Sequence, residues 1–113
     1  MHEYGLCESI LEAVERRASG RRVARVRVRV GALHRVVPPA MDQAFALAAE
    51  GTVADGAAVD LVTVPVRVSC LACGHAGDSD DPLSLCPACG AAELELAGGD
   101  ELVLESIQLA TSA

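Results

Sequence analysis

The sequence predicts an α+β fold in which two helices pack on a small three-stranded sheet, with a four-cysteine zinc ribbon inserted before the last strand. Three observations support this prediction: helical apolar periodicity near the amino terminus, alternation of valine and arginine in the next segment, and two late Cys-x-x-Cys pairs. At 113 residues, one compact body plus a metal-stapled subdomain is the natural expectation. We expect the α/β body to comprise residues 1–67 and 98–113, and the zinc ribbon residues 68–97.

The first predicted helix runs from Tyr4 to about Ala18, and Ser19-Gly20 ends it. Apolar residues recur at three- and four-residue spacing, which is typical of a helix with one buried face. Glutamates and Arg16 fall on the opposite, solvent-facing side. The predicted buried stripe comprises Leu6, Ile10, Ala13, Val14 and Arg17.

Residues 22–30 predict the first strand, because apolar and charged residues alternate along them. The arginines are expected to form a solvated face, and an acid-binding surface is the alternative. The predicted buried face comprises Ala24, Val26, Val28 and Val30, and the charged face Arg25, Arg27 and Arg29.

The remaining elements of the body follow from proline positions and alternation. Because proline fits a first helical turn, Pro38-Pro39 predicts a second helix from Ala40 to about Glu50. A second strand is predicted over Val59–Val68, in which Pro65 indicates an edge position or a bulge. A last strand is predicted from Glu101 to Leu109. The residues expected to be buried on the second helix are Met41, Ala44, Phe45 and Ala48.

Four of the five cysteines form the strongest motif in the chain. Twelve residues separate the two pairs, a spacing that places four thiolates around one tetrahedral ion, and zinc suits such a set. The glycine after each pair permits the turn that closes each knuckle. Four sulfur ligands leave no open coordination position, so we expect a structural zinc. The predicted ligands are Cys70, Cys73, Cys86 and Cys89.

The sequence offers two alternatives to this ligand set. His75 follows the first knuckle and could replace a thiolate, but we expect it to be an exposed loop residue. A disulfide framework is disfavoured by the odd cysteine count and by the absence of an export signal.

Composition bears on the class of protein. No apolar run approaches the roughly 18 to 20 residues of a membrane span, and the first residues lack a basic export region, so we expect a cytoplasmic protein without a membrane segment. All nine basic residues are arginines at or before Arg67, whereas eight acids follow it. Since phosphate binding needs cationic side chains, we expect no nucleic-acid partner. We see no catalytic nucleophile with its base and no phosphate-binding loop, so we predict no enzyme.

His2 beside a free α-amine forms a chelating arrangement. The amine and the amide nitrogen of residue 2 would close a five-membered ring on a metal, and the imidazole and that amide a six-membered ring. The amide or carboxylate of Glu3 would complete a four-coordinate set. Nitrogen-rich planar sites favour Ni(II) or Cu(II), although this motif alone is a weak signal.

Taken together, these motifs resemble the hydrogenase-maturation nickel metallochaperones of the HypA/HybF type along essentially the entire chain. Each motif is modest, but their order and spacing are specific. The resemblance rests on Met1-His2-Glu3, the Gly31-Ala32-Leu33 to Val37-Pro38 segment before a helix carrying Ala44-Phe45, the late ribbon, and Gly98-Gly99-Asp100-Glu101-Leu102.

This resemblance implies a protein that binds Ni(II) at its N-terminus and helps deliver it to the large subunit of nickel–iron hydrogenase. The implied partners are that large subunit and the nickel-insertion GTPase of the pathway, while urease maturation proteins and a homodimer stay open. By position, His2 takes the nickel-ligand role and the four cysteines the zinc role. Cys7 and His34 lie outside the pattern: we expect a buried helix residue and a loop residue, although His34 could lie near bound nickel.

The residues alone leave three other functions open. Cys86-Pro87-Ala88-Cys89-Gly90 resembles a rubredoxin knuckle, which makes an Fe(Cys)4 electron carrier one alternative. The twelve-residue gap is short for that family, and its aromatic core is missing. A nucleic-acid-binding ribbon and a structural scaffold for one protein partner are the other two.

Overall fold

The computed structural model describes residues 2–80 and 85–111. Its strands form two three-stranded sheets, one with the order β2-β1-β6 and the other with the order β4-β3-β5. The predicted α+β class, the two helices and the three-stranded sheet of the body are confirmed. The elements are α1 (His2–Ala18), β1 (Val23–Gly31), a 3-10 turn (Ala32–His34), α2 (Pro38–Ala48), β2 (Ala58–Val64), β3 (Val66–Cys70), β4 (Ala76–Ser79), β5 (Leu94–Ala97) and β6 (Leu102–Leu109).

The chain divides into two units, which we name the body unit and the ribbon unit. The body unit consists of the segments Met1–Arg29, Val36–Val62 and Leu102–Ala113, and the ribbon unit of Val30–Arg35 and Thr63–Glu101. The body unit holds both helices, and the ribbon unit holds the second sheet and the four cysteines. Within the described part of the chain, no helix has the length and apolar character needed to cross a membrane.

Helix α1 buries a face that differs in part from the predicted stripe. Ile10 and Val14 are buried as expected, but Arg17 is exposed, and its Nη1 donates a hydrogen bond of 3.4 Å to the carbonyl oxygen of Glu105. The buried face is rotated because α1 packs on α2 as well as on the sheet: the Sγ of Cys7 lies 3.7 Å from the carbonyl oxygen of Met41. The buried residues of α1 are Cys7, Ile10, Leu11, Val14 and Ala18.

Helix α2 begins at Pro38, two residues before the predicted start, and Val37 precedes it in an extended conformation. Met41 and Phe45 are fully buried, and Ala44 and Ala48 pack against the same core, as predicted. The core of the body unit therefore depends on one phenylalanine and many small residues. Apart from Phe45, the core contains Cys7 and valine, leucine, isoleucine, methionine and alanine side chains.

Strand β1 is the central strand of the body sheet, and it confirms most of the predicted alternation. Val26 and Val28 are buried and the arginines are exposed, but Ala24 is also exposed and Val23 is buried in its place. The backbone N–H of Val23 donates to the carbonyl of Val53 at 2.9 Å, which holds this end of the strand against the loop after α2.

The outer face of this sheet is a solvated ion-pair surface, in agreement with the expectation for the arginine stripe. Arg25 lies 2.8 Å from a carboxylate oxygen of Asp60, and Arg27 lies 2.8 Å from one of Glu105. All four side chains are between 39% and 54% exposed, so each pair contributes at most about 1 kcal/mol to stability.

The single strand predicted over Val59–Val68 is wrong. The structure divides this segment at Pro65 into β2, which belongs to the body sheet, and β3, which is central in the ribbon sheet. Proline has no N–H to donate to a ladder, so the chain changes sheets where that donor is missing. Strand β6 begins at Leu102, one residue later than predicted.

Two glycines in the ribbon unit allow a close backbone approach. The N–H of Gly31 donates to the carbonyl of Glu101 at 2.7 Å, and the N–H of Leu33 donates to that of Gly99 at 2.8 Å. A Cβ on Gly31 would overlap the Gly99 carbonyl group, and Gly99 itself has a φ of 78°. Neither position accepts a larger residue without displacing backbone.

We predict that Gly31→Ala will destabilise the protein by roughly 2–3 kcal/mol, because the added methyl group overlaps backbone atoms that cannot rotate away. Chemical denaturation followed by circular dichroism measures this change. Gly5→Ala is the matched control, since nothing lies within 4 Å of its new methyl group and the position is helical. We expect the control to gain about 0.5–1 kcal/mol. Equal effects of the two substitutions would contradict the close approach.

Candidate metal centres

The two Cys-x-x-Cys knuckles have equivalent backbone geometry. In the first, the N–H of Gly74 donates to the carbonyl of Cys70 at 3.0 Å, and in the second the N–H of Gly90 donates to that of Cys86 at 2.8 Å. Gly74 and Gly90 have φ values of 79° and 78°. Glycine adopts this left-handed conformation without the steric cost that a Cβ adds, so the predicted role of both glycines is confirmed.

The four sulfur atoms converge on one point. All four Sγ atoms lie within 4.8 Å of one another. The Sγ atoms of Cys70 and Cys89 are 3.7 Å apart, as are those of Cys73 and Cys86. Sulfur atoms about 2.3 Å from one tetrahedral zinc are separated by roughly 3.8 Å, so these distances fit the ion.

Backbone N–H groups also point at the sulfur atoms. The N–H of Cys73 donates to the Sγ of Cys70 at 3.4 Å, and the N–H of Ala88 donates to the Sγ of Cys86 at the same distance. Burial opposes ionisation of Cys86, but hydrogen bonds from the Cys89 and Ala88 backbone lower its pKa to about 6. The knuckle therefore favours the thiolate form that a metal requires.

Cys89 resists ionisation. The Ala91 N–H lowers the pKa of Cys89, but hydrogen bonds with the neighbouring sulfur atoms and burial outweigh it and raise that pKa to about 12. A divalent cation at the centre would favour the thiolate form of each ligand. The chemistry of the site thus fits a metal bound by four thiolates.

His75 does not belong to this group of sulfur ligands. Among the described residues, the candidate metal cluster contains the four cysteines alone. The backbone carbonyl of His75 accepts a 2.7 Å hydrogen bond from the N–H of Cys70, and the side chain is exposed. His75 therefore contributes backbone support to the first knuckle, and its exposed position agrees with the prediction.

The second candidate centre lies at the start of α1. His2 is the first helical residue, with a side chain that is 53% exposed, and its Nδ1 lies 3.4 Å from Oε1 of Glu3. The Glu3 side chain is only 12% exposed. Met1, whose amine completes the predicted chelate, lies outside the described residues.

The carboxylate of Glu3 is held at the start of the helix by hydrogen bonds. Its pKa lies below the usual value, first because the carboxylate accepts a bond from its own backbone N–H, and also because His2 and the backbone of Val37 are close. Partial burial opposes this shift without reversing it. The contact with Val37 joins the first turns of α1 and α2, and no sequence motif predicts it.

Cys7 and His34 lie where the sequence places them. Cys7 is fully buried in α1, and burial, together with the nearby charges of Glu3 and Asp42, raises its pKa to about 11. It is therefore a small core residue, as predicted. His34 ends the 3-10 turn of the ribbon unit, and its Nε2 lies 2.8 Å from the carbonyl oxygen of Asp100, so that nitrogen is the donor.

Comparisons with known proteins identify relatives along almost the whole chain. The family model described as "Hydrogenase/urease nickel incorporation, metallochaperone, hypA" matches residues 1–109. The hydrogenase maturation factor HypA of Rhodobacter capsulatus is 37% identical over 112 residues, which cover 96% of this chain and 99% of that protein. The protein of the same name from Acidithiobacillus ferrooxidans is 35% identical over the same shares.

Solved structures show the same fold. The solution structure of the nickel metallochaperone HypA from Helicobacter pylori is similar with a TM-score of 0.62 and 23% identity, and it covers 97% of this chain and 98% of its own. A second HypA solution structure is similar with a TM-score of 0.58 and 25% identity. From the family model, the relatives and the fold together, the chain belongs to the HypA family of metallochaperones for nickel incorporation into hydrogenase and urease.

Proposed function

We propose that this protein binds Ni(II) through its N-terminal residues and delivers it during maturation of nickel–iron hydrogenase, while Cys70, Cys73, Cys86 and Cys89 hold a structural zinc. The observation that carries this proposal is the position of His2, which starts a helix in a chain that matches the nickel metallochaperone family from its first residue. The zinc proposal is supported by the four converging sulfur atoms.

A helix start suits a chelate that uses backbone nitrogens. The first four N–H groups of an α-helix have no partner within the helix, so His2 and Glu3 donate no helical hydrogen bond. A metal that displaces the protons of these amides therefore breaks no bond of the α1 ladder. The Glu3 carboxylate would lose the hydrogen bond from its own backbone N–H and would instead be stabilised by the positive charge of the metal.

The two proposed sites select different metals because their donor atoms differ. Imidazole, amine and amide nitrogens at the N-terminus suit Ni(II), whereas four thiolates suit zinc. The His2 side chain is half exposed, which gives a cargo ion a path to leave. The sulfur set has two buried members, Cys70 and Cys86, and leaves no position for a further ligand. We therefore assign transport to the first site and folding to the second.

The remaining parts of the proposal rest on family membership. We propose a cytoplasmic carrier without enzymatic activity that works with the nickel-insertion GTPase of the pathway and with the hydrogenase large subunit. We also propose that residues 68–97 form the zinc-binding domain and that residues 1–67 and 98–113 form the nickel-binding domain. The corresponding assay measures transfer of nickel from this protein to the purified partner proteins.

The zinc site gives the first prediction about metal binding. Replacing any one of its four cysteines with alanine should remove most of the bound zinc and unfold the ribbon unit, because metal binding supplies much of the folding free energy of a small site. Elemental analysis and amide exchange measure both effects. Cys7→Ala is the matched control and should keep one full equivalent of zinc, since Cys7 lies in the core of the body unit. Full zinc with unchanged stability in a ribbon variant would overturn the four-thiolate site.

The nickel site gives the second prediction. His2→Ala should lower Ni(II) affinity by more than about 100-fold, because loss of even an indirect supporting group lowers metal affinity about 10–100-fold. Zinc content and the fold should be unchanged. Isothermal calorimetry with untagged protein measures the affinity, and His75→Ala is the control, as an exposed histidine outside the proposed site. Wild-type affinity in His2→Ala would exclude His2 as a ligand.

A third prediction separates the α-amine from the His2 side chain. Two residues added before Met1 should weaken nickel binding strongly, because the Met1 amine becomes an amide and binds only after losing a proton. In the native protein, affinity should rise from pH 6 toward pH 8, since protons leave the amine near its reference pKa of about 7.7–8.0 and no longer compete with the metal. The extended protein should lose this component of the pH dependence. Equal affinities of both proteins would exclude the amine.

A further inference from the structure

Each of the two sheets leaves one face open to solvent. In the body unit, the buried side chains of β1 join the core that the helices share, whereas its arginines lie on the opposite side of the sheet. In the ribbon unit, Val66 and Val68 lie in the core, whereas Arg67 and Ser69 lie on the opposite side of β3. The side chains on these two open faces differ in the sign of their charge.

The open face of the body sheet is basic, and we call it the arginine face. Two of its arginines form the ion pairs with Asp60 and Glu105 described above, but among the described residues no ion pair includes Arg29. Residues 16–29, which supply these side chains, hold seven arginines and no acid, and all seven are exposed. The arginine face comprises Arg25, Arg27 and Arg29.

Arg29 lies beside an exposed apolar side chain. The N–H of Ala110 donates to the carbonyl of Arg22 at 2.9 Å, and the ion pair between β1 and β6 has the same register. The two strands are therefore antiparallel, with Val103 opposite Arg29. Val103 is 46% exposed. A partner surface that carries a carboxylate and an apolar side chain could cover both residues.

The open face of the ribbon sheet is acidic, and we call it the acidic face. On β4, Asp78 lies opposite Arg67 and accepts a hydrogen bond of 3.4 Å from its Nη1. On β5, Glu95 lies opposite Ser69, and no ion pair of the described chain includes it or Glu93. Glu93 extends the ladder of β5 with β3, because its carbonyl accepts a 2.8 Å bond from the residue after β3. The acidic face comprises Asp78, Glu93 and Glu95, all of them exposed.

We propose that the arginine face of one copy of this chain binds the acidic face of a second copy. On both faces, charged side chains occupy every second position of a strand, so neighbouring charges on a strand are about 7 Å apart. This shared spacing lets two guanidinium groups meet two carboxylates at once, and a planar guanidinium binds a carboxylate through two hydrogen bonds. Val103 would then contact Ala97, an exposed residue of β5, on the second copy.

The charge distribution of the chain favours a second copy over other anions. Nucleic acid and anionic lipid are negative over their whole surface, so they would also approach the sixteen acids that this chain sets against nine arginines. A second copy instead presents an acidic face of bounded size. At 0.1 M salt the Debye length is about 10 Å, so charges at the contact interact while more distant like charges of the two copies are screened.

The expected contact is small. Strand β3 is five residues long, so the three-stranded ribbon sheet offers a face of roughly 17 Å by 14 Å. This face is smaller than a standard stable interface, so we expect a weak association that depends on charge. Because the contact joins two different surfaces, it either closes a dimer in which each copy uses both faces or continues into larger assemblies. Both arrangements raise the sedimentation coefficient.

Sedimentation velocity of the zinc-loaded full chain over a series of protein concentrations tests the proposal. At 0.1 M salt, the weight-average sedimentation coefficient should rise with concentration. At 1 M salt, where the Debye length is about 3 Å, the coefficient should return to the monomer value.

Single charge reversals locate the two surfaces. Arg29→Glu and Glu95→Arg should each weaken self-association about fivefold or more, because each removes an attraction and adds a repulsion. Arg35→Glu and Glu50→Arg make the same changes of charge at exposed positions outside both faces, and they should change the association less than twofold. Circular dichroism and zinc content check that every variant is folded.

A mixture of the two reversed variants gives the most specific result. The reversed arginine face of Arg29→Glu is complementary to the reversed acidic face of Glu95→Arg, and the unchanged faces of the two variants are complementary as well. An equimolar mixture should therefore associate more strongly than either variant alone.

A protein that stays monomeric at every concentration in 0.1 M salt would overturn the proposal. Equal weakening by the face variants and the control variants, or a mixture no stronger than its components, would also overturn it. If Arg29→Glu lost binding to a DNA oligonucleotide but kept its self-association, the arginine face would be a polyanion site and the proposal would be wrong. The two faces contain none of the proposed metal ligands, so these outcomes are independent of the proposed nickel and zinc sites.

Discussion

The ribbon unit depends on four sulfur atoms that lie within 4.8 Å of one another. Its own apolar core is small: Ala32, Val66 and Val68, with Leu94 packed against them. Against the Ala91 N–H, hydrogen bonds with neighbouring sulfur atoms and burial raise the pKa of Cys89 to about 12, whereas, against burial, backbone hydrogen bonds lower that of Cys86 to about 6. A divalent cation bound by all four thiolates would be the principal stabilising interaction of the unit. The knuckle glycines and the ladders of β3 with β4 and β5 serve to position those sulfur atoms.

The body unit is stabilised by an apolar core and not by a metal, and this property would suit the proposed nickel carrier. Its helices and sheet bury valines, leucines, Met41 and Phe45 in a core that requires no metal. Under the proposed function, an ion would bind and leave at His2 while the fold persists. The start of α1 offers backbone amides that the helix does not use, and Glu3 is already held as a carboxylate beside His2. Separate sources of stability would therefore allow the proposed zinc to be structural and the proposed nickel to be cargo.

Much of this architecture could be predicted from local pattern, and the errors have identifiable physical causes. Alternation in β1 and helical spacing in α1 follow from which face meets the core, so most of their buried residues were predictable. Arg17 was predicted to be buried but is exposed, because packing against α2 changes which face of α1 is buried. This packing is a tertiary contact that local spacing does not reveal. Pro65 marked a disturbance, but the change of sheet depends on partners distant in sequence. The cysteine cluster followed from spacing alone, whereas the contact of Glu3 with Val37 joins segments that no motif connects.

We propose that one chain holds two metals separated by ligand chemistry. X-ray absorption at the zinc and nickel edges of protein loaded with one equivalent of each metal tests this proposal. We expect a zinc shell of four sulfur atoms at about 2.3 Å and a nickel shell of nitrogen and oxygen atoms without sulfur. Sulfur in the nickel shell, or nitrogen in place of a sulfur around zinc, would contradict it.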